Sequence, residues 1–112
     1  MRVLVVGAGA VGTYLGEALR AIGNEVVYAP RELEAVAPFD AELAIVATKA
    51  YDTPGAIATL RRALRDPGAA TLVTPQNGVG NEELLAEAFG AENVVAAALT
   101  VPIESSPQGK GV

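Results

Sequence analysis

Short apolar runs alternate along this chain with longer segments in which apolar residues recur every three or four positions. The runs are rich in Val, Ile and Leu, which is typical of strands buried on both faces of a parallel sheet. The segments between them have helical periodicity and are bounded by Gly, Pro, Asn or Asp. Predicted strands cover Val3 to Val6, Glu25 to Ala29, Leu43 to Ala47, Ala70 to Thr74 and Val94 to Val101. Predicted helices cover Thr13 to Ile22, Asp52 or Thr53 to Arg65, and Glu82 to Phe89, with two helical turns over Arg31 to Ala37.

This alternation predicts an α/β fold of the Rossmann-like, doubly wound type. Strands that alternate with helices form a mainly parallel sheet, here of about five strands, with helices on both faces. At 112 residues the chain is long enough for one domain with its own core, so residues 1–112 are expected to form a single domain.

A glycine-rich sequence follows the first predicted strand directly. It consists of Gly7, Ala8, Gly9, Ala10, Val11 and Gly12, a G-x-G-x-x-G. A strand, this turn and a helix in that order form the dinucleotide-binding fingerprint, in which the first glycine allows the tight turn, the second lets the pyrophosphate approach the backbone, and the third lets helix and strand pack closely. The phosphates meet the free N–H groups and the positive dipole end of the helix. The motif predicts dinucleotide binding; the alternative is that the glycines serve only the turn and the packing.

The composition limits the partners of the chain. Apolar residues make up 51 % and charged residues 19 %, with a mean hydropathy of +0.34, so a second domain or a second copy is expected to cover part of the surface, unless abundant alanine inflates the index. A net charge of −5 argues against nucleic-acid binding. No apolar run approaches the roughly 18 residues of a membrane span, and the N-terminus does not resemble a signal peptide. A cytoplasmic location is expected by default.

The chain contains neither Cys nor His. Disulfides and thiolate chemistry are therefore excluded, and the commonest general base and metal ligand is missing. We predict no metal site.

The residues that follow the second predicted strand bear on the choice of cofactor. NAD sites typically place an Asp or Glu near the end of this strand, where it binds the ribose 2′-hydroxyl. Here the strand ends with Ala29 and is followed by Pro30 and Arg31. A guanidinium suits a 2′-phosphate, so we predict NADP(H), although Glu32 and Glu34 could pair with Arg31 or repel a phosphate.

Two polar residues follow the third and fourth predicted strands, where open α/β sheets bind their ligands. Lys49 could donate hydrogen bonds to a ligand bound there; the alternative is a solvated loop lysine. Asn77 precedes Gly78, and such a pair is by default a turn.

Three sequences together resemble the ketopantoate reductase family, the 2-dehydropantoate 2-reductases. They are Gly7 to Gly12, Thr48-Lys49-Ala50-Tyr51-Asp52-Thr53, and Pro75-Gln76-Asn77-Gly78-Val79-Gly80-Asn81-Glu82. The resemblance implies an NADPH-dependent reduction of a small-molecule 2-keto acid. It also implies that Thr48 contacts the cofactor, that Lys49 and Asn77 contact cofactor and substrate, and that Arg31 favours NADPH.

The chain departs from the family in two ways. The connection Pro30 to Glu42 is shorter than in typical members, which puts the adenine side of the site in doubt. The helical C-terminal domain, which carries a catalytic lysine and glutamate in the family, has no counterpart in these residues. We therefore expect either the nucleotide-binding part of a reductase or a short relative. The alternatives are a non-catalytic dinucleotide-sensing module and a subunit that completes its site as a homodimer.

Overall fold

Five parallel strands form the central sheet, in the spatial order β2-β1-β3-β4-β5. The computed structural model describes residues 1–7, 9–29, 39–48, 53–75 and 81–96. Within them the strands are β1 (Arg2–Val6), β2 (Glu25–Ala29), β3 (Leu43–Val46), β4 (Thr71–Thr74) and β5 (Val94–Ala96). Every neighbouring pair is parallel. The predicted Rossmann-like sheet is confirmed.

In the part of the chain that the structure describes, three α-helices pack on the sheet, and two 3₁₀ turns connect the elements. The helices are α1 (Ala10–Ala21), α2 (Thr53–Ala63) and α3 (Asn81–Phe89), and the 3₁₀ turns are Pro67–Ala69 and Ala91–Asn93. Among the described residues, no helix is long and apolar enough to cross a membrane.

Alternation of side chains along the strands divides the core into two clusters. On one face, Leu4, Val46 and Leu72 pack with residues of α2 and α3, including the fully buried Leu60 and Leu85. On the other face, buried side chains of β1, β2 and β3 pack against Leu15 and Leu19 of α1. Helices therefore cover both faces, as a parallel sheet requires.

The strand order places a switch point between β1 and β3. After β1 the chain passes through α1 to β2 on one side, and it then returns to β3 on the other side of β1. Ligands of open α/β sheets bind outside the carboxyl ends of the strands at such a point.

The opposite, amino-terminal edge of the sheet is closed by Phe39, which is fully buried. Phe39 and Leu64 form a parallel bridge, and the Phe39 N–H donates to the carbonyl oxygen of Ala63 at 2.6 Å. The Arg2 guanidinium carbon lies 4.2 Å from the centre of the Phe39 ring. Helix α2 was predicted to reach Arg65, but it ends at Ala63 because the following residues pair with this segment instead.

Most other predicted bounds agree with the structure within a residue or two. The main exception is α1, which begins at Ala10 rather than at Thr13, because the second half of the glycine motif is its first helical turn. The predicted helical turns over Arg31 to Ala37 and the predicted end of the fifth strand beyond Ala96 lie outside the described residues.

We expect Phe39→Ala to lower the free energy of unfolding by about 3–5 kcal/mol, because it empties a buried volume between α2 and the sheet. Urea denaturation followed by circular dichroism measures the change. Ile22→Ala is the control, since Ile22 is 77 % exposed, and its effect should stay within about 0.5 kcal/mol. Equal losses in the two variants would contradict the role of Phe39.

Candidate dinucleotide site at the carboxyl edge

The turn after β1 is built on Gly7, whose φ of +93° lies in the region that favours glycine. A Cβ at this position would lie 2.9 Å from both the carbonyl carbon of Ala47 and the amide nitrogen of Thr48. The turn therefore touches the backbone at the end of β3, and both the conformation and the space require glycine.

Gly12 fixes the start of α1 against the same turn. A Cβ on Gly12 would collide with the carbonyl oxygen of Gly7 and would lie 3.3 Å from the Cβ of Ala47. The close packing predicted for this glycine is present, and it brings the ends of β1 and β3 and the first turn of α1 together.

Gly9 is the N-cap of α1, and no other described residue packs against it. Its carbonyl accepts the first helical hydrogen bond, from the Thr13 N–H at 2.9 Å, so the N–H groups of Ala10, Val11 and Gly12 have no partner within the helix. A Cβ on Gly9 would meet no atom of the described residues within 4 Å, and the first turn contains no acidic residue. These features fit a diphosphate, which would accept from the N–H groups at the positive end of the helix.

Thr48 lies beside this turn. It is half-buried, and its Cγ2 would lie 3.0 Å from a Cβ on Gly7. The structure thus places Thr48 against Gly7, and it describes five of the six motif residues, Gly7 and Gly9 to Gly12. Ala8, Arg31, Lys49 and Asn77 lie outside the described residues, so their predicted roles remain predictions.

Thr74, the last residue of β4, was not predicted as a site residue. It is 2 % exposed, and its Oγ1 has no hydrogen-bond partner in the part of the chain that the structure describes. The sequence does carry one signal for this residue, since a threonine ends an apolar run directly before a polar segment.

A second feature that the sequence did not reveal joins α1 to β2. Gly16 lies so close to Tyr28 that a Cβ would collide with the Tyr28 hydroxyl. That hydroxyl donates to Oε2 of Glu17 at 2.6 Å, and the Arg20 guanidinium pairs with the same carboxylate at 3.1 Å. Arg20 also donates to the carbonyl oxygen of Val26 at 2.7 Å. The end of β2, which precedes Arg31, is therefore held against α1.

The described residues contain no group of three or more acidic side chains placed to hold a metal ion. Two arginines near the end of α2 contact other described residues. Arg65 pairs with Asp40 at 3.0 Å, and the Arg61 guanidinium carbon lies 5.7 Å from the centre of the Phe89 ring.

Comparison with known proteins agrees with this architecture. The model of the family described as ketopantoate reductase PanE/ApbA matches residues 21–111. The chain belongs to the ketopantoate reductase family. Because the matched range begins after the glycine motif, the family match and the motif are separate observations. Binding of a nicotinamide dinucleotide is general to this family of oxidoreductases.

Individual relatives support the same assignment. A 2-dehydropantoate 2-reductase of Archaeoglobus fulgidus is 33 % identical over 108 residues, in an alignment that covers 77 % of this chain and 35 % of the relative. The solved structure of 2-dehydropantoate 2-reductase from Geobacter metallireducens GS-15 aligns with a TM-score of 0.77 at 24 % identity, over 99 % of this chain and 45 % of that one. D-mandelate dehydrogenase in complex with NADH aligns with a TM-score of 0.76 at 19 % identity, over 99 % of this chain and 43 % of that one. These two likenesses show the fold, and the chain spans less than half the length of all three proteins.

Substitution of the motif glycines by alanine tests which of them is tightly packed and which is not. We expect Gly12→Ala to lower the free energy of unfolding by roughly 3 kcal/mol, because its Cβ meets backbone that cannot move without shifting β1 or α1. Gly9→Ala is the matched control and should change stability by less than about 0.5 kcal/mol, since its φ of −79° suits alanine and its surroundings are open. Urea denaturation of both variants measures this, and equal stabilities would contradict the geometry.

Proposed function

We propose that this chain is the NADPH-binding part of an oxidoreductase that reduces a 2-keto acid of the 2-dehydropantoate type. The observation that carries the proposal is the open N-terminus of α1 at Gly9, which lies at the switch point of the sheet in a member of the ketopantoate reductase family. Bound at this place, the diphosphate of the cofactor would accept hydrogen bonds from the first turn of α1.

The preference for NADPH rests on the residues after β2. This strand lies beside β1 on the side away from β3, so a dinucleotide held at α1 would place its adenosine half over the end of β2. No acidic residue ends this strand, and Arg31 follows Ala29 by two positions. Its guanidinium would pair with the 2′-phosphate. The likeness to an NADH complex shows that the fold also serves NADH, so the choice depends on such side chains.

The nicotinamide half would extend the other way, over β3 and β4. Thr48 contacts the turn there, and Lys49 follows it in the sequence. We assign to Lys49 the donation of hydrogen bonds to a ribose hydroxyl or to the substrate carboxylate, and to Asn77 a contact with the nicotinamide ribose and the substrate. The reduced cofactor supplies the hydride when it is bound; these side chains bind and orient.

The proton that completes the alcohol needs a donor beyond the residues proposed so far. Few side chains of this chain could donate that proton, because it contains only two lysines, of which Lys49 is one, and no histidine. The chain also spans about a third of the Archaeoglobus relative. We therefore expect this chain to bind the dinucleotide and to turn over 2-keto acids poorly without further groups. A dinucleotide-sensing module would bind equally well and would never oxidise the cofactor with any 2-keto acid.

One face of the sheet near β4 and β5 is covered by none of the described helices, which supports a further covering partner. Among the described helices only α1 lies on the face of Val73 and Val95, and it packs on β1 and β2. Val95 is 49 % exposed. We propose that a second copy of the chain or a helical domain like that of the family covers this face, and we keep a cytoplasmic location as part of the proposal.

Calorimetric titration with NADPH and NADH tests the choice of cofactor. We expect tighter binding of NADPH, and we expect Arg31→Ala to weaken it about ten- to a hundredfold while NADH binding stays unchanged, because a charge-assisted pair with the 2′-phosphate is lost. Arg62→Ala is the matched control, since it removes the same charge from an exposed position in the last turn of α2. Binding of neither dinucleotide to the unmodified chain would overturn the proposal.

Gly9→Ala tests where the diphosphate binds. We expect this variant to keep its stability and to bind NADPH and NADH at least tenfold more weakly, because its methyl group would occupy the space in front of the α1 N-terminus. The same titrations measure the change. Full affinity for both dinucleotides in Gly9→Ala would place the diphosphate elsewhere.

A further inference from the structure

Thr74 combines deep burial with an unused hydrogen-bonding group. It is 2 % exposed at the carboxyl end of β4, and its Oγ1 has no partner among the described residues. By the alternation of the strand, its side chain lies on the same face as Leu72, which is fully buried in the cluster formed with α2 and α3.

The fold itself gains little from this hydroxyl. Burial of a hydroxyl without a hydrogen bond is unfavourable, because the group loses its hydrogen bonds to water and gains none in return. Valine has nearly the same shape and suits a strand equally well. A threonine at this position is thus explained better by a partner from outside the described chain than by packing.

The position of β4 indicates what that partner is. The proposed diphosphate site lies at the end of β1, and β4 is two strands away, on the side opposite to β2. Adjacent strands are separated by about 4.8 Å, so the end of β4 lies about 10 Å from that of β1. A ribose and the ring attached to it reach across such a distance, in the direction opposite to the adenosine half.

We propose that the Thr74 hydroxyl forms a hydrogen bond with the nicotinamide–ribose half of the bound dinucleotide. The inference rests on the proposed function, since it presumes that the diphosphate binds at α1. A hydroxyl both donates and accepts, so it can pair with a ribose hydroxyl or with the carboxamide of the ring. Thr74 would then be a cofactor-binding residue in addition to the glycine motif, Arg31, Lys49 and Asn77.

Three ligands of decreasing length test the contact by calorimetry. They are NADPH, 2′-phospho-ADP-ribose, which lacks the nicotinamide, and 2′,5′-ADP, which also lacks the second ribose and one phosphate of the diphosphate. We expect Thr74→Val to bind NADPH about two- to tenfold more weakly, the size of one neutral hydrogen bond, and to bind 2′,5′-ADP as the unmodified chain does. Weaker binding of 2′-phospho-ADP-ribose identifies the ribose as the partner, and unchanged binding identifies the carboxamide.

Two further variants and the melting temperature test whether the Thr74 hydroxyl instead supports the fold. Thr74→Ser keeps the hydroxyl and should bind NADPH within about twofold of the unmodified chain, which is less than the loss of a typical hydrogen bond. Thr71→Val makes the same change at the exposed amino end of β4 and should leave all three affinities unchanged. Without ligand, Thr74→Val should melt at the same temperature as the unmodified chain or higher, because an unpaired buried hydroxyl is removed.

The outcomes separate this inference from the proposed function. Unchanged NADPH affinity in Thr74→Val overturns the inference alone. A lower melting temperature together with equal losses for all three ligands also overturns it, because it means that the hydroxyl supports the fold. If the unmodified chain binds none of the three ligands, the proposed function fails first and the inference falls with it.

Discussion

The contact between the turn after β1 and the end of β3 is the constraint on which the rest of this structure depends. At Gly7 and Gly12 two pieces of backbone approach so closely that one extra methyl group would force them apart. The approach determines where α1 begins and how it crosses the sheet. It also leaves the first N–H groups of α1 facing the space beyond the strand ends, since the turn, rather than a side chain, occupies the position before the helix. The ligand geometry and the packing of the fold are therefore consequences of the same two glycines.

The amino-terminal and carboxyl-terminal ends of the strands form two edges of the sheet, and different kinds of interaction stabilise them. The amino edge is closed by an apolar side chain, Phe39, with Arg2 over its ring and a main-chain bridge to Leu64. The described residues of the carboxyl edge include short polar or side-chain-free ones, such as Gly9, Thr48 and Thr74. Apolar burial supplies most of the free energy of folding, so the amino edge and the two clusters on the faces stabilise the fold. The carboxyl edge can then keep groups that lower its stability and are suited to a ligand.

The sequence predicted the fold well, because the periodicity of apolar residues is a local signal that a parallel sheet preserves. All five strands lie where the apolar runs of the sequence are, and β2 has its predicted bounds. The bounds that differ depend on contacts between distant parts of the chain. Helical propensity continues past Ala63, but Phe39, more than twenty residues earlier in the sequence, pairs with the residues that follow and ends the helix.

The candidate site was predictable only in part for the same reason. The glycine motif is local, so its residues could be named from the sequence. The burial of Thr74 and the contact of Gly16 with Tyr28 arise only when strands and helices are brought together, and no spacing along the chain predicts them. Gly16 follows Gly12 by one helical turn, so a second close approach along the same helix face was open to prediction.

The hydrogen bond between Arg20 and Val26 has a consequence for association with other chains. Of the described strands, β2 lies at one edge of the sheet. The Glu25 N–H donates toward β1, to the carbonyl oxygen of Met1, so the main-chain groups of the next residue, Val26, point toward the free edge. The Arg20 guanidinium covers the Val26 carbonyl oxygen there and places a charge beside it. A strand from another molecule would have to displace this charge before it could pair with β2, which opposes edge-to-edge aggregation.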